Sequence, residues 1–358
     1  LRFVIFTHSL VSDWNHGNAH FLRGICTELN LCGHELAIFE PEDGWSRQNL
    51  LEQEGAATIE EFHKVYPGLT SVLYDRQKLD LDTVLDGVDV VLVHEWNPPE
   101  LISDIGRHRA AHKYKLLFHD THHRSLSDKE GLAKFDLKQY DGVLAYGEVI
   151  RQAYLRNGWV KRACTWHEAA DTRVFHPMVS DKEGDVVWIG NWGDDERAET
   201  LREYLIRPVK QLGLRATVYG VRYPDQVLDE LADAGIEYKG WLANYRVPEV
   251  FSRYRLTVHV PRRPYVEALP GIPTIRPFEA LACGIPLISA PWHDSEHLFH
   301  PGTDFLFAHC ESQMRDHMQM LLDNPQIARC QAEEGLTTIQ ERHACRHRVE
   351  ELLEVIHQ

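Results

Sequence analysis

HVPRRPYVEALPGIPTIRPFEALACGIPLISAPW, residues 259–292, decides the architecture of this chain. Residues 257–260 read as the end of a buried strand, followed by a loop carrying Arg262 and Arg263 and a Gly/Pro turn at 270–273. A short helix is predicted over about 276–283, because Pro277 suits a first helical turn that needs no amide donor and Gly284 suits the position just past a helix end. The apolar run 285–290 is then the next strand. Strand, loop, helix, strand of this kind leaves a helix N-terminus flanked by Arg262, Arg263 and Arg276. Backbone amides and the helix dipole attract anions there. The pattern fits a diphosphate, with Glu279 placed to accept hydrogen bonds from sugar hydroxyls. Its plainer alternative is an ordinary turn in an α/β protein.

Working outward, 358 residues with 43% apolar content are enough for two domains. Thirty-eight Lys and Arg against 54 Asp and Glu give a net charge of −16, which argues against a general nucleic-acid binder. In so acidic a chain the Arg262/Arg263/Arg276 cluster points to a small anionic ligand. No apolar run approaches the ~20 residues of a membrane span, and LRFVIF at the start reads as a strand, not a signal peptide. The seven cysteines have no CxxC spacing and suit buried thiols in a reducing compartment. A cytoplasmic enzyme without zinc is the expectation.

Two βαβ series run along the chain. In the first, strands are predicted at 3–7, 35–39, 88–94, 115–119, 139–146 and 163–167, with helices at 21–31, 101–112 and 148–157; the polar segment 44–78 reads as helical in places. Ligands on parallel sheets lie beyond the strand C-termini. The first such loop holds Asp13, Trp14, Asn15, His16, Gly17, Asn18 and His20 within eight residues. The loop after the strand at 115–119 is HDTHHRS, Asp120 among three histidines. Adjacent histidines cannot all converge on one ion, so an imidazole near a reacting group, or a general base assisted by Asp120, is preferred to a metal site. A hydrated polar loop is the alternative for both segments.

The second series has strands at 186–190, 215–219 and 236–240 and helices at 198–210, 226–234 and 247–254, before the stretch quoted above. Gly190 and Asn191 sit at its first loop. Arg197 points at the same anion or pairs with Glu196 or Glu199. Helices at 311–323, 325–334 and 344–356 close the chain, the last with Val349, Leu352, Leu353 and Ile356 on one face.

RPFEALACGIPLISAPW resembles the donor-binding segment of GT-B glycosyltransferases, in particular the CgeB-like branch related to the retaining family 4 enzymes. SDWNHGN in the first loop, EAADTRVFHP at 168–177 and PGTDFLFA at 301–308 resemble the same branch. Glu279 matches the second glutamate of the family's E-x7-E motif, which grips the ribose; Gly271 stands where the first glutamate would be. The resemblance implies two Rossmann-like domains facing a cleft, over 1–176 and 185–343, with a linker at 177–184 and a terminal helix, 344–358, that crosses back onto the first. It implies a nucleotide-diphosphate-sugar as co-substrate, gripped by Gly190, Asn191, Arg197, Gly240, Trp241, Arg262, Arg263, Gly271, Ile272, Thr274 and Glu279. Trp241 would stack on the base, or serve simply as core. No metal is required, because arginines and amides neutralise the departing diphosphate. Asp13, His16 and Asp120 are the candidates for a base acting on a glycan, lipid-linked or small-molecule acceptor. Peripheral membrane contact is compatible with this, and oligomeric state and stereochemistry stay open. A sugar epimerase or phosphorylase, or a catalytically silent glycan-binding coat protein, are the competing readings.

Overall fold

A computed structural model describes residues 1–124 and 128–358. It divides into two compact units, Leu1–Glu168 with Cys345–Gln358, and Ala169–Ala344.

The first unit is a seven-stranded sheet in the order β3-β2-β1-β4-β5-β6-β7. Its strands are β1 (Arg2–Phe6), β2 (Glu35–Pro41), β3 (Val72–Tyr74), β4 (Val90–His94), β5 (Lys115–Asp120), β6 (Gly142–Ala145) and β7 (Ala163–Thr165). All neighbours pair in parallel. The central strands are apolar on both faces, as a sheet covered on both sides requires: every residue of VVLVH in β4 is buried. Helices α1 (Ala19–Leu31), α2 (Trp45–Glu54), α3 (Ala57–Val65), α4 (Leu81–Val84) and α5 (Pro99–Ala111) belong to this unit. The terminal helix Cys345–His357 packs on α1, and Trp166 Nε1 donates to the Arg348 carbonyl at 2.8 Å.

The second unit is a six-stranded sheet in the order β10-β9-β8-β11-β12-β13. Its strands are β8 (Gly184–Ile189), β9 (Ala216–Tyr219), β10 (Ile236–Tyr238), β11 (Tyr254–His259), β12 (Leu287–Ser289) and β13 (Leu306–Phe307), again parallel throughout. Val186, Trp188, Val218, Leu256, Val258 and Ile288 carry its core onto helices that include Ala198–Leu201 and Glu311–Asp323.

Three local expectations differ from the structure. The polar segment 44–78 carries helices where they were read, over 46–54 and 58–66, but β3 beyond them was not expected; two of its three residues are exposed, so it lacks the apolar run that marks a covered strand. Arg263 begins a five-residue helix, Arg263–Glu267, instead of lying in a loop. Of the cysteines, only Cys26, Cys283 and Cys345 are buried, while Cys32 and Cys330 are exposed. Among the described residues no helix is long and apolar enough to cross a membrane.

Candidate active site

In each sheet the strand order reverses at one place, and there neighbouring loops must diverge and leave a crevice. In the second unit this switch point lies between β8 and β11. Arg197 spans it. Its guanidinium donates to the Val260 carbonyl after β11 at 3.3 Å and to the Asn191 carbonyl after β8, and it lies over the Trp188 ring. Among the described residues Glu196 pairs with Arg262 at 3.4 Å and acts on Arg197 only through its charge, while Glu199 pairs with Arg202. Burial, then the charges of Arg262 and Arg276, push the Arg197 pKa down to about 9. Three guanidiniums therefore share one neighbourhood, and a site that crowds cations is stabilised by an anion placed among them. His259, at the end of β11, feels the same field: burial first, then Arg197 and Arg276, lower its pKa to about 3. The partner of Arg262 and Arg197 in this cluster is Arg276; Arg263 is exposed on its short helix.

Glu279 is fully buried on the helix Ile275–Ala282, held between Arg276 and the Asn244 amide, whose nitrogen donates to Oε1 at 2.6 Å. The turn before this helix is tight. Gly271, at φ +90°, donates to the His293 carbonyl at 2.6 Å, and a Cβ there would meet Glu296 Oε1 at 2.5 Å. Ile272 donates to the Leu269 carbonyl at 3.2 Å. Their amides are engaged within the turn, and Pro277 has none, so the helix-start donors are those of Thr274, Ile275 and Arg276. Thr274 sits at φ 65°, ψ 179°, a conformation nearly restricted to glycine. Strain of this kind persists only where the surroundings impose it.

The remaining predicted contacts converge on the ends of β8, β9 and β10. Asn191 Oδ1 accepts from the Val221 amide at 3.0 Å, the Gly190 carbonyl accepts from the Tyr223 hydroxyl at 2.9 Å, and Gly220 donates to the Gly240 carbonyl at 2.7 Å. Trp241 follows directly, half-buried, its indole nitrogen buried with no hydrogen-bond partner among the described residues.

In the first unit the switch point lies between β1 and β4. His8 follows β1 and His94 ends β4; His16 comes from the first loop and His119 from β5. Ring centroids are 4.0 Å apart for His8 and His16, 5.6 Å for His8 and His94, and 5.3 Å for His94 and His119. All four are buried. Burial lowers His8 and His119 to about 3 and drives His16 and His94 well below the ordinary 6.5, so the cluster is neutral. Beside it lie two buried carboxyls, Glu95 and Asp120. Glu95 Oε1 accepts from the Thr121 hydroxyl at 3.1 Å and amide at 3.3 Å. Asp120 accepts from the Tyr154 hydroxyl at 2.8 Å and the His122 amide at 3.0 Å. Burial pushes Asp120 up to about 6, and burial together with the Asp120 charge pushes Glu95 well above the carboxylate range. Arg124 lies over Trp96 and donates to the Glu95 carbonyl.

Of the three predicted catalytic residues, His16 and Asp120 join this cluster. Asp13 is committed elsewhere: Arg23 pairs with it at 2.9 Å while also donating to the Leu10 and Val11 carbonyls, so the ion pair shapes the loop. Ser125, the last residue of the HDTHHRS run, lies outside the described residues. His8, His94 and Glu95 were missed. Their signal was their position one residue beyond, or at the end of, an apolar strand.

Residues 197–354 match a family model described as glycosyl transferase-like. No curated protein matches the chain by sequence. Among solved structures, it is similar to sucrose-phosphate synthase from Thermosynechococcus elongatus at 14% identity and a TM-score of 0.68, covering 100% of this chain and 98% of that one. HepE from Anabaena, in complex with UDP and glucose, gives 12% identity and a TM-score of 0.68 with 99% of each chain covered. The fold is that of the GT-B glycosyltransferases. T4 phage BGT, in complex with UDP and Mn2+, shares the GT-B fold with this chain at 11% identity and a TM-score of 0.64, with 100% of each covered. Both GT-B sheets thus carry their polar clusters at the switch points, where that fold has its crevices.

Proposed function

We propose that this protein is a glycosyltransferase that moves a sugar from a nucleotide-diphosphate-sugar to a hydroxyl-bearing acceptor without a metal ion. One observation carries the reading: three arginines, a strained turn and a buried glutamate gather at the switch point of the second sheet. Arg197, Arg262 and Arg276 supply the positive charge for the departing diphosphate, in a partly desolvated place where it acts strongly. Glu279, buried and held by Asn244 at Oε1 and Arg276 at Oε2, is the carboxylate assigned to the vicinal hydroxyls of the donor. That two of the similar structures hold UDP supports trying uridine nucleotides first. Asp120 is the proton acceptor for the acceptor hydroxyl, because a carboxyl poised near 6 is anionic at neutral pH and still a useful base. His8, His16, His94 and His119 are its neutral, buried surroundings.

The test is thermal stabilisation by a panel of UDP-, GDP- and dTDP-sugars, since a ligand specific to the native state must raise stability. One of them is expected to raise the melting temperature, and Glu279→Ala to weaken that ligand at least tenfold, about 1.4 kcal/mol. Glu279→Gln, which keeps the Asn244 contact geometry, separates lost recognition from lost packing. If no nucleotide or nucleotide sugar shifts the transition, the proposal fails. Incubating the bound donor without acceptor distinguishes transfer from epimerisation.

A further inference from the structure

Away from both clusters, the first unit brings together Asp82, His108 and His112. The two histidines are one turn apart on the C-terminal part of α5 and just beyond its end, and their rings stack at 3.9 Å with an interplanar angle of 5°. Asp82 comes from α4. Its Oδ1 lies 3.3 Å from His108 Nε2 and 4.0 Å from His112 Nε2. One ligand atom from each of the three lies within 4.8 Å of the others.

The second nitrogen of each ring decides what faces the carboxylate. His112 Nδ1 is 2.8 Å from the His108 carbonyl, which only accepts, so Nδ1 carries the proton. His108 Nδ1 is 3.1 Å from the Tyr114 hydroxyl, whose own proton goes to the Ile105 carbonyl at 3.3 Å, so this nitrogen donates as well. In neutral rings both Nε2 atoms then turn lone pairs toward a carboxylate oxygen. Three electron-rich atoms facing one another repel unless a cation lies between them, either a proton taken up by one ring, which pairs it with Asp82, or a metal ion that all three atoms share. Hydrogen bonds that fix the far nitrogen are also how proteins hold metal-binding imidazoles.

We propose that Asp82, His108 and His112 form a binding site for a zinc-type divalent transition ion, with water completing its coordination. Two imidazoles and one carboxylate suit zinc, copper or nickel and are a poor set for magnesium or calcium. Zinc bonds of about 2.0–2.2 Å require the three atoms to draw closer together. Small rotations of Asp82 and His112 accomplish this, since both side chains are exposed. A bound ion would strap α4 onto the end of α5. The site is separate from the proposed transfer chemistry and does not depend on it.

Chelator-stripped full-length protein titrated with ZnCl2 by calorimetry provides the test. One zinc equivalent is expected that His112→Ala eliminates and Asp82→Asn weakens at least tenfold, and the zinc-induced rise in melting temperature should disappear in parallel. Both substitutions are at exposed positions, so unchanged melting temperatures of the stripped variants establish that they fold. Cobalt substitution reads the site directly: a visible band present in the parent and absent from His112→Ala supports it. Equal zinc uptake by the parent and both variants overturns the proposal, as does no uptake by the parent.

Discussion

Individual side chains in this protein take their meaning from what holds them. Asp13 and Asp120 look alike in the sequence, polar residues in loops after strands, but Arg23 occupies one while the other is a buried carboxyl held by Tyr154. Asp120→Asn should therefore lower kcat by about 10²–10⁴-fold while leaving the donor-induced thermal shift in place. On the proposed function, the parent protein should lose transfer activity as pH falls below about 6, where Asp120 takes up its proton. An Asp120→Asn enzyme with normal kcat would remove it from the mechanism. Thr274 offers a second test. At φ 65° it occupies backbone space that glycine adopts freely. Thr274→Gly relieves strain of about 1–3 kcal/mol, offset in part by the greater freedom of glycine when unfolded. Calorimetric unfolding should show a stability equal to or above that of the parent. A clear loss of stability would mean that the threonine side chain makes up for its backbone.

At the scale of elements, the proposed donor site in the second unit depends on how closely strand ends approach. A Cβ on Gly220, at φ +154°, would lie 2.1 Å from the Gly190 carbonyl oxygen, which is itself fixed by Tyr223. Backbone stands against backbone here, and no side-chain rotation relieves it. Gly220→Ala should cost about 2–4 kcal/mol in denaturant unfolding and weaken nucleotide-sugar binding together with it, because Gly190, Asn191 and Gly240 shift as a group. Stability equal to the parent would show that these loops are more compliant than their packing implies. A strand with a continuous apolar run, such as β4, could be read from sequence, and so could the helix bounded by Pro277 and Gly284. β3 could not, because an edge strand with exposed Val72 and Leu73 carries neither alternation nor a buried run. The helix at Arg263 was likewise hidden, since five residues are too few to show a period.

Over the whole molecule, buried imidazoles set the response to acid. His8 and His119 have folded pKa values near 3, below 6.5 when unfolded, and His16 and His94 move the same way. Between those values the unfolded chain binds more protons, so their contribution is complete above about 6.5 and is lost as pH falls toward 3. Asp120 and Glu95 act in the opposite sense: raised carboxyl pKa values favour the fold at low pH, and for Asp120 that advantage fades as pH rises through about 6. Four imidazoles outweigh two carboxyls. The melting temperature should rise from pH 4.5 to 6.5, each net proton contributing about 1.4 kcal/mol per pH unit. His119→Phe, which can keep the ring contacts with Phe21 and Trp166, should flatten that rise. An unchanged slope would show that the cluster does not govern it.

Apart from β3 and the short helix at Arg263, the succession of strands and helices along the chain, the parallel sheets and the glutamate on a helix beginning were determined by the sequence alone, because burial on both faces and helix boundaries leave local marks in residue type. Which cations share a site was not. Arg263 stands beside Arg262 in the chain yet faces solvent, while Arg197 and Arg276 reach the same place from positions far apart in sequence. His8, His16, His94 and His119 meet only because β1, β4 and β5 lie side by side in register, with His94 directly opposite His119. Only the tertiary structure decided these groupings, since strand order and pairing bring together residues whose separation along the chain carries no trace of their contact.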